Sequence, residues 1–122
     1  MTILKTTRLR LRPVDVGDRD ILVDIRSAPE VLRWLPHPQG NSIERYVDTR
    51  LAEMLTHWRD RNFGVWMVHN RRSGRAIGYC GLRFLPEFDA VELLYAFHPL
   101  AWGCGLASEA SRTILDWAWS HT

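Results

Sequence analysis

VELLYAFHPLAWGCGLASEA, residues 91–110, runs from a strand pattern through a short loop into the start of a helix. Its second half carries two glycines, Gly103 and Gly105, directly before the helical pattern. The first amides of a helix have no partner within it, and they lie at the positive end of its dipole. Glycines leave such amides uncovered, so the stretch predicts a loop that holds a phosphate. A tight turn whose glycines serve only to adopt positive φ is the alternative.

The predicted phosphate donors are the loop amides that follow Trp102, itself a predicted cofactor-binding residue. They are the amides of Gly103, Cys104, Gly105, Leu106 and Ala107, to which Ser108 adds a hydroxyl. Glu109, in the first turn of the helix, suits the dipole and is expected to close a capping interaction. The stretch is not a P-loop, because no lysine follows the glycines, and it is not GxGxxG, because Ser108 occupies the third glycine position.

The remaining elements follow from hydrophobic periodicity, which has period two in strands and 3.6 in helices. In chain order the pattern predicts a strand at 7–14, helices at 15–27, 29–35 and 42–60, strands at 63–70, 75–85 and 91–99, and a helix at 106–121. Asp18 and Ser42 are the predicted N-caps of two of these helices. The predicted class is α+β, with a mostly antiparallel sheet flanked by helices in one domain, residues 1–122.

Composition narrows the choice of function. The chain has 122 residues, 16 basic and 14 acidic, for a net charge of +2, which argues against nucleic acid and anionic membrane surfaces as partners. Arg8, Arg10 and Arg12 alternate along the first strand and are interpreted as a solvated face. Cys80 and Cys104 lack metal-ligand spacing, so we predict no metal site and reduced thiols in a cytoplasmic protein.

WGCGLASEA, residues 102–110, resembles the acyl-CoA loop of the GNAT superfamily of N-acetyltransferases, Gln/Arg-x-x-Gly-x-Gly/Ala. Trp102, Gly105 and Ala107 fall on the three fixed positions, and the tryptophan is typical of the Rim-type branch, the ribosomal-protein N-terminal acetyltransferases. Other segments follow in the order of that branch, namely TRLRLRPV, APEVLRWL, FGVWMV, IGYCGLR and VELLYAFHP. The resemblance covers nearly the whole chain.

The resemblance implies binding of acetyl-CoA and transfer of its acetyl group to a primary amine, on a protein N-terminus or a small molecule. Backbone groups of Ala96, Phe97 and His98 would hold the pantetheine arm while the loop amides hold the diphosphate. Glu92 is the candidate base, with a structural glutamate bonded to a neighbouring strand as the alternative. Tyr95 and His98 are weaker candidates, His98 because a loop-capping role suits it equally.

Two tryptophans are further candidates by analogy with the family. Trp34 and Trp66 could line the acceptor side of the site, although core packing is the expected role of both. Cys104 is not expected to act as a nucleophile, because no histidine or asparagine is placed by the sequence to activate it.

Family members usually continue beyond this last helix, so the resemblance implies a domain truncated at its C-terminus. From that we expect an exposed strand edge completed by a second copy, in a homodimer or a strand-swapped oligomer. A non-catalytic CoA-binding or assembly module is the alternative function. A small nucleic-acid-binding domain that uses the N-terminal arginines is a third, disfavoured by the charge balance.

Overall fold

A five-stranded antiparallel sheet organises the protein, which we describe from a computed structural model covering residues 2–38 and 40–121. Its strands are β1 (Leu4–Lys5), β2 (Leu9–Pro13), β3 (Val65–Asn70), β4 (Ala76–Leu85) and β5 (Ala90–Phe97), adjacent in chain order. The helices are α1 (Arg19–Ser27), α2 (Pro29–Trp34), α3 (Ile43–Arg61) and α4 (Leu106–Ser120). The predicted α+β class is therefore confirmed. β1 was not predicted, because two residues are too few to show a period.

The sheet is covered on both faces, and β3 shows how the sequence divides between them. Val65 and Met67 point into the core beneath α1, α2 and α3, while Trp66 and Val68 point into the core beneath α4. All four side chains are buried, because a central strand has no wet face. The outer strand β5 is less covered, and Val91 and Tyr95 are about half exposed.

The helix starts confirm one predicted cap and correct another. The Ser42 hydroxyl accepts a hydrogen bond from the Arg45 amide at 3.1 Å, as predicted for the start of α3. Asp18 is not a side-chain cap of α1. A short 3-10 turn, Val16–Asp18, precedes α1, and Asp15 caps that turn by accepting from the Gly17 amide.

Asp18 is instead buried against β2. Its carboxylate accepts two hydrogen bonds from the Arg12 guanidinium, at 2.6 and 2.9 Å, and one from the Asp15 amide at 2.8 Å. The hydrogen bonding between Arg12 and the Asp18 carboxylate raises the pKa of Arg12, although burial acts in the opposite direction. The interpretation of the first-strand arginines as a solvated face is thus wrong for Arg12. Arg8 and Arg10 are exposed, and Arg8 also contacts the loop described below.

Candidate functional site

The segment between β5 and α4 has two residues in the left-handed region. Gly103 has φ 82° and Gly105 has φ 79°, and Gly105 is the N-cap of α4 with no side-chain cap. An L-residue with a side chain pays roughly 1–2 kcal/mol in this region. The glycines therefore do meet the backbone requirement on which the tight-turn alternative rests.

The loop amides nevertheless remain unpaired, which a turn closed on itself would not leave. Within the described chain, the amides of residues 103–108 donate to no protein acceptor. The amide of Glu109, which donates to the Gly105 carbonyl at 3.0 Å, makes the first bond of the helix. Six consecutive donors, three of them at the start of a helix, thus form a positive concavity of backbone.

A cavity of about 520 Å³ opens in front of these amides, between the end of β5, α2 and the start of α4. Its walls are mostly apolar. The lining residues are Val31, Trp34, Leu35, Tyr95, Ala96, Phe97, Ala101, Trp102, Gly103, Gly105, Leu106, Ala107 and Ser108. The structure thus brings all of the predicted cofactor-binding residues to one cavity except His98 and Cys104.

His98 lies just outside this cavity and its polar groups are engaged. Its amide donates to the Ile77 carbonyl at 2.8 Å, and its Nδ1 accepts from the Leu100 amide at 3.2 Å. The imidazole thereby caps the 3-10 turn Pro99–Ala101, the loop-capping role considered from the sequence. The predicted strand 91–99 accordingly ends at Phe97, where Pro99 cannot continue the ladder.

Trp102 ties the loop to the strand end. Its indole Nε1 donates to the Phe97 carbonyl at 2.8 Å, and its amide donates to the Pro99 carbonyl at 3.0 Å. The side chain remains 44% exposed and forms part of the cavity wall. Trp102 therefore sets the angle at which the glycine loop leaves β5.

β5 presents free backbone groups to the cavity. In an antiparallel pair, alternate residues bond to the neighbouring strand. The His98 amide bonds to Ile77 on the β4 side, so Ala96 also bonds to β4. Tyr95 and Phe97 therefore direct their backbone groups to the open edge. The Phe97 carbonyl is used by Trp102, which leaves the Phe97 amide and both backbone groups of Tyr95 on that edge. Backbone atoms of Ala96 and His98 are therefore not free donors, contrary to what the resemblance implied.

Arg8, immediately before β2, contacts the back of the loop. Its Nη1 donates to the Cys104 carbonyl at 2.8 Å, and its Nε and backbone amide donate to the Glu109 carboxylate at 2.7 and 3.1 Å. The Thr6 hydroxyl donates to the same carboxylate. The prediction that Glu109 closes a helix cap is therefore wrong. Its carboxylate bonds to the chain before β2. Burial opposes the shift, yet these bonds lower the pKa of Glu109.

Glu92, the candidate base, lies on β5 but not beside the cavity. Its carboxylate accepts a hydrogen bond from Arg83 Nη2 on β4 at 2.7 Å, opposite it in the register. Four residues of strand, about 13 Å, separate Glu92 from Ala96 at the cavity. This geometry matches the structural glutamate considered as the alternative. Among the described cavity residues, Tyr95 alone carries a titratable side chain.

The two tryptophans considered for the acceptor side differ in environment. Trp66 is fully buried, contacts Trp58 and Trp117 edge-on, and donates to the Thr2 carbonyl at 3.0 Å, so it packs in the core as expected. Trp34 is 74% exposed and lines the cavity, so core packing is wrong for Trp34. Its position at the end of the very short α2 leaves the ring with little to pack against.

Comparison with known proteins is consistent across sequence and structure. Residues 8–122 match the family model described as acetyltransferase (GNAT) domain. The uncharacterized protein YkkB of Bacillus subtilis is 28% identical over an alignment of 128 residues, which covers 98% of this chain and 70% of the relative.

No described helix combines the length and apolarity that crossing a membrane requires.

Two solved structures illustrate the match in fold. The acetyltransferase from Agrobacterium tumefaciens superposes with a TM-score of 0.83 at 26% identity, over 98% of this chain and 67% of that one. RimL, a ribosomal L7/L12 alpha-N-protein acetyltransferase in complex with coenzyme A, superposes with a TM-score of 0.70 at 16% identity, over 98% and 67%. Rim-type proteins are thus one group among several structural neighbours.

Proposed function

The chain belongs to the GNAT acetyltransferase family, and from that premise we propose that it binds acetyl-CoA between β5 and α4 and acetylates a primary amine. The observation that carries the proposal is the row of unpaired amides at residues 103–108, facing a cavity with apolar walls. Backbone donors at a helix start suit a diphosphate, and apolar walls suit the pantetheine arm. The CoA bound to RimL, a neighbour in fold, supports the same assignment.

The chain's own residues would divide the work of binding. The amides of Gly103, Gly105 and the first turn of α4 would hold the diphosphate, and the Ser108 hydroxyl adds a donor. Trp102, Phe97 and Leu106 would exclude water from the arm. The open edge at Tyr95 and Phe97 would pair with the amide groups of the arm, as an added strand does.

When bound, acetyl-CoA supplies a thioester carbonyl. In the proposed reaction the amine nitrogen gains the acetyl group and loses a proton. The CoA sulfur leaves as a thiolate and takes up a proton. A free amide on β5, at Tyr95 or Phe97, is positioned to donate to the carbonyl oxygen and stabilise its developing charge. The attacking amine must be neutral. Since Glu92 lies outside the cavity and is bonded to Arg83, we propose that the amine gives its proton to water and that Glu92 is not the base.

The acceptor side is the wall formed by the end of α2. Trp34 and Leu35 are exposed there beside Tyr95, so the acceptor would meet a largely apolar surface. We propose a protein N-terminus as the acceptor class, in line with the Rim-type loop WGCGLASEA and with the Rim-type structural neighbours. A small-molecule amine is the other acceptor to be tested.

The experiment is calorimetric binding of CoA and acetyl-CoA, followed by a turnover assay that detects free CoA thiol. The acceptors would be peptides with free N-termini, the same peptides with blocked N-termini, and a panel of small amines. Mass spectrometry would confirm the acetylated product. Binding with turnover on free N-termini supports the proposal, whereas absence of CoA binding would overturn it.

A non-catalytic CoA-binding module is the second candidate function. One observation favours it: the described cavity lining offers Tyr95 and no carboxylate or imidazole to manage protons. Tight CoA binding without turnover on any acceptor would support this candidate over the first.

We also propose that a second copy of the chain pairs along the first half of the open edge of β5, residues 90–93, clear of the segment at Tyr95 and Phe97 assigned to the pantetheine arm. β5 lacks lysine and proline, the residues that usually protect edges, and apolar Val91 and Leu115 are about half exposed beside this segment. Light scattering should give the mass of two chains, and Val91→Lys should reduce it to one. A wild-type mass of one chain overturns this pairing.

The two free cysteines support a reducing, cytoplasmic location.

A further inference from the structure

We propose that Arg8 is a positioning residue that fixes the direction of the Gly105 amide in the diphosphate loop. The inference rests on the proposed function, because it concerns the loop assigned to CoA. Arg8 contacts the loop in a second depression, lined also by Thr6 and Arg112, which shares Gly105 and Ser108 with the large cavity.

The first step of the inference is the planarity of the peptide bond. In a trans peptide the carbonyl and the following N–H point in opposite directions. The Cys104 carbonyl accepts from Arg8 Nη1 at 2.8 Å, so the Gly105 N–H points away from Arg8. Gly105 lines both the cavity and the Arg8 depression, and its amide is thereby directed to the cavity side.

The second step is that this peptide needs an external restraint. It joins Cys104 to Gly105, whose φ is positive, and glycine adopts either sign of φ with little penalty, so coupled rotation about the Cys104 ψ and the Gly105 φ can flip it. No atom lies within 4 Å of the place where a Cβ of Gly103 would be, so packing does not hold the loop there. A flipped peptide would present the Cys104 carbonyl oxygen, and not an N–H, to a diphosphate.

The third step is that Arg8 is itself held in place. Glu109 accepts from both the side chain and the backbone of Arg8, and it projects from the first turn of α4, the helix that begins at the loop. The planar guanidinium thus bridges the loop carbonyl and the helix with donors of fixed geometry. A lysine, with a single nitrogen, cannot reproduce both bonds in one orientation.

Arg10 provides a matched control two residues along. It lies on β2, and its side chain is exposed and makes no hydrogen bond or ion pair to the described residues. Arg8→Gln and Arg10→Gln remove the same charge, and only the first removes the contact with Cys104.

The experiment compares a ligand that contains the diphosphate with one that lacks it. Affinity for CoA and the KM for acetyl-CoA and for acetyl-pantetheine would be measured in the wild type and both variants. We expect Arg8→Gln to weaken CoA binding by about 10- to 150-fold, the loss of roughly one charge-assisted hydrogen bond between a loop amide and the diphosphate. Its KM for acetyl-pantetheine should stay within twofold of wild type, and Arg10→Gln should change neither ligand more than twofold.

The outcomes separate the two proposals. If the wild type binds no CoA, the proposed function fails, and the inference with it. If the wild type binds CoA but Arg8→Gln matches Arg10→Gln, or loses both ligands equally, Arg8 has only a structural role and the inference alone is overturned. Arg8→Lys covers the case in which Arg8→Gln does not fold: a CoA-specific loss supports the inference, and wild-type affinity refutes it.

Discussion

Gly105→Ala tests whether the left-handed loop holds the ligand. Gly105 has φ 79°, where an alanine costs roughly 1–2 kcal/mol. Its Cβ would lie 3.6 Å from Arg8 Nη2, an ordinary contact, so the substitution fits sterically and acts through backbone strain. The loop would relieve the strain by rotating φ, which turns its amides out of line with a bound diphosphate.

The expected loss of affinity follows from the bonds that this rotation removes. A hydrogen bond to a charged group contributes about 1.5–3 kcal/mol, so losing one amide–phosphate bond should weaken CoA binding by about 10- to 150-fold. Isothermal titration calorimetry measures this effect directly. A thermal unfolding scan of the same variant should show a fall in Tm of about 4–8 °C from strain in the folded chain.

Gly74→Ala is the matched control for strain. Gly74 has φ 77° in the turn between β3 and β4, and no atom lies within 4 Å of the position that a Cβ would take there. It should lose as much stability as Gly105→Ala and bind CoA with wild-type affinity. If Gly105→Ala also retains CoA affinity within twofold while losing the same stability, the glycine is there for the turn alone, and the diphosphate assignment is refuted.

Three further predictions concern ionisable groups. Glu92→Gln should lower kcat less than threefold, because the carboxylate is paired with a neighbouring strand; a hundredfold loss with an altered acid limb in the pH–rate profile would instead show a catalytic base. Iodoacetamide at pH 8 should modify exposed Cys104 and not Cys80, since burial raises the pKa of Cys80 to about 11; peptide mapping decides this point. The pKa of Glu109 is lowered from its usual 4.5, because the hydrogen bonds it accepts outweigh burial, so the stability it contributes is present above pH 4.5 and is lost as pH falls through its lower folded value. Urea midpoints between pH 6 and pH 3 should therefore fall less steeply in Glu109→Gln, and equal slopes would contradict the bond to Arg8.

Sequence periodicity predicted most of the fold because most elements bury a repeating face. The helix predicted at 42–60 is α3, Ile43–Arg61, and the strand predicted at 63–70 is β3, Val65–Asn70. Local chemistry was harder to resolve at the start of α1, where two aspartates compete. Asp15 caps the turn, and Asp18 goes to Arg12, a partner six residues earlier that a capping rule does not consider.

The cavity lining was predicted by the glycine loop and the strand before it, whereas the contacts that support the loop were not. Arg8 reads as solvated in a period-two strand, and its partner Glu109 is 101 residues away in the chain. Nothing in a local pattern joins two such distant residues. The signal for this contact was the charge of Glu109, which the sequence analysis explained by a cap on its own helix.

The contact between Arg8 and Glu109 has a consequence for how the loop forms during synthesis. The turn ahead of β2 is synthesised about 100 residues before its acidic partner and must wait for it. This support for the loop therefore forms only after the helices on the opposite side of the sheet have been made. A ligand that recognises the finished loop would bind only chains in which Arg8 and Glu109 have met.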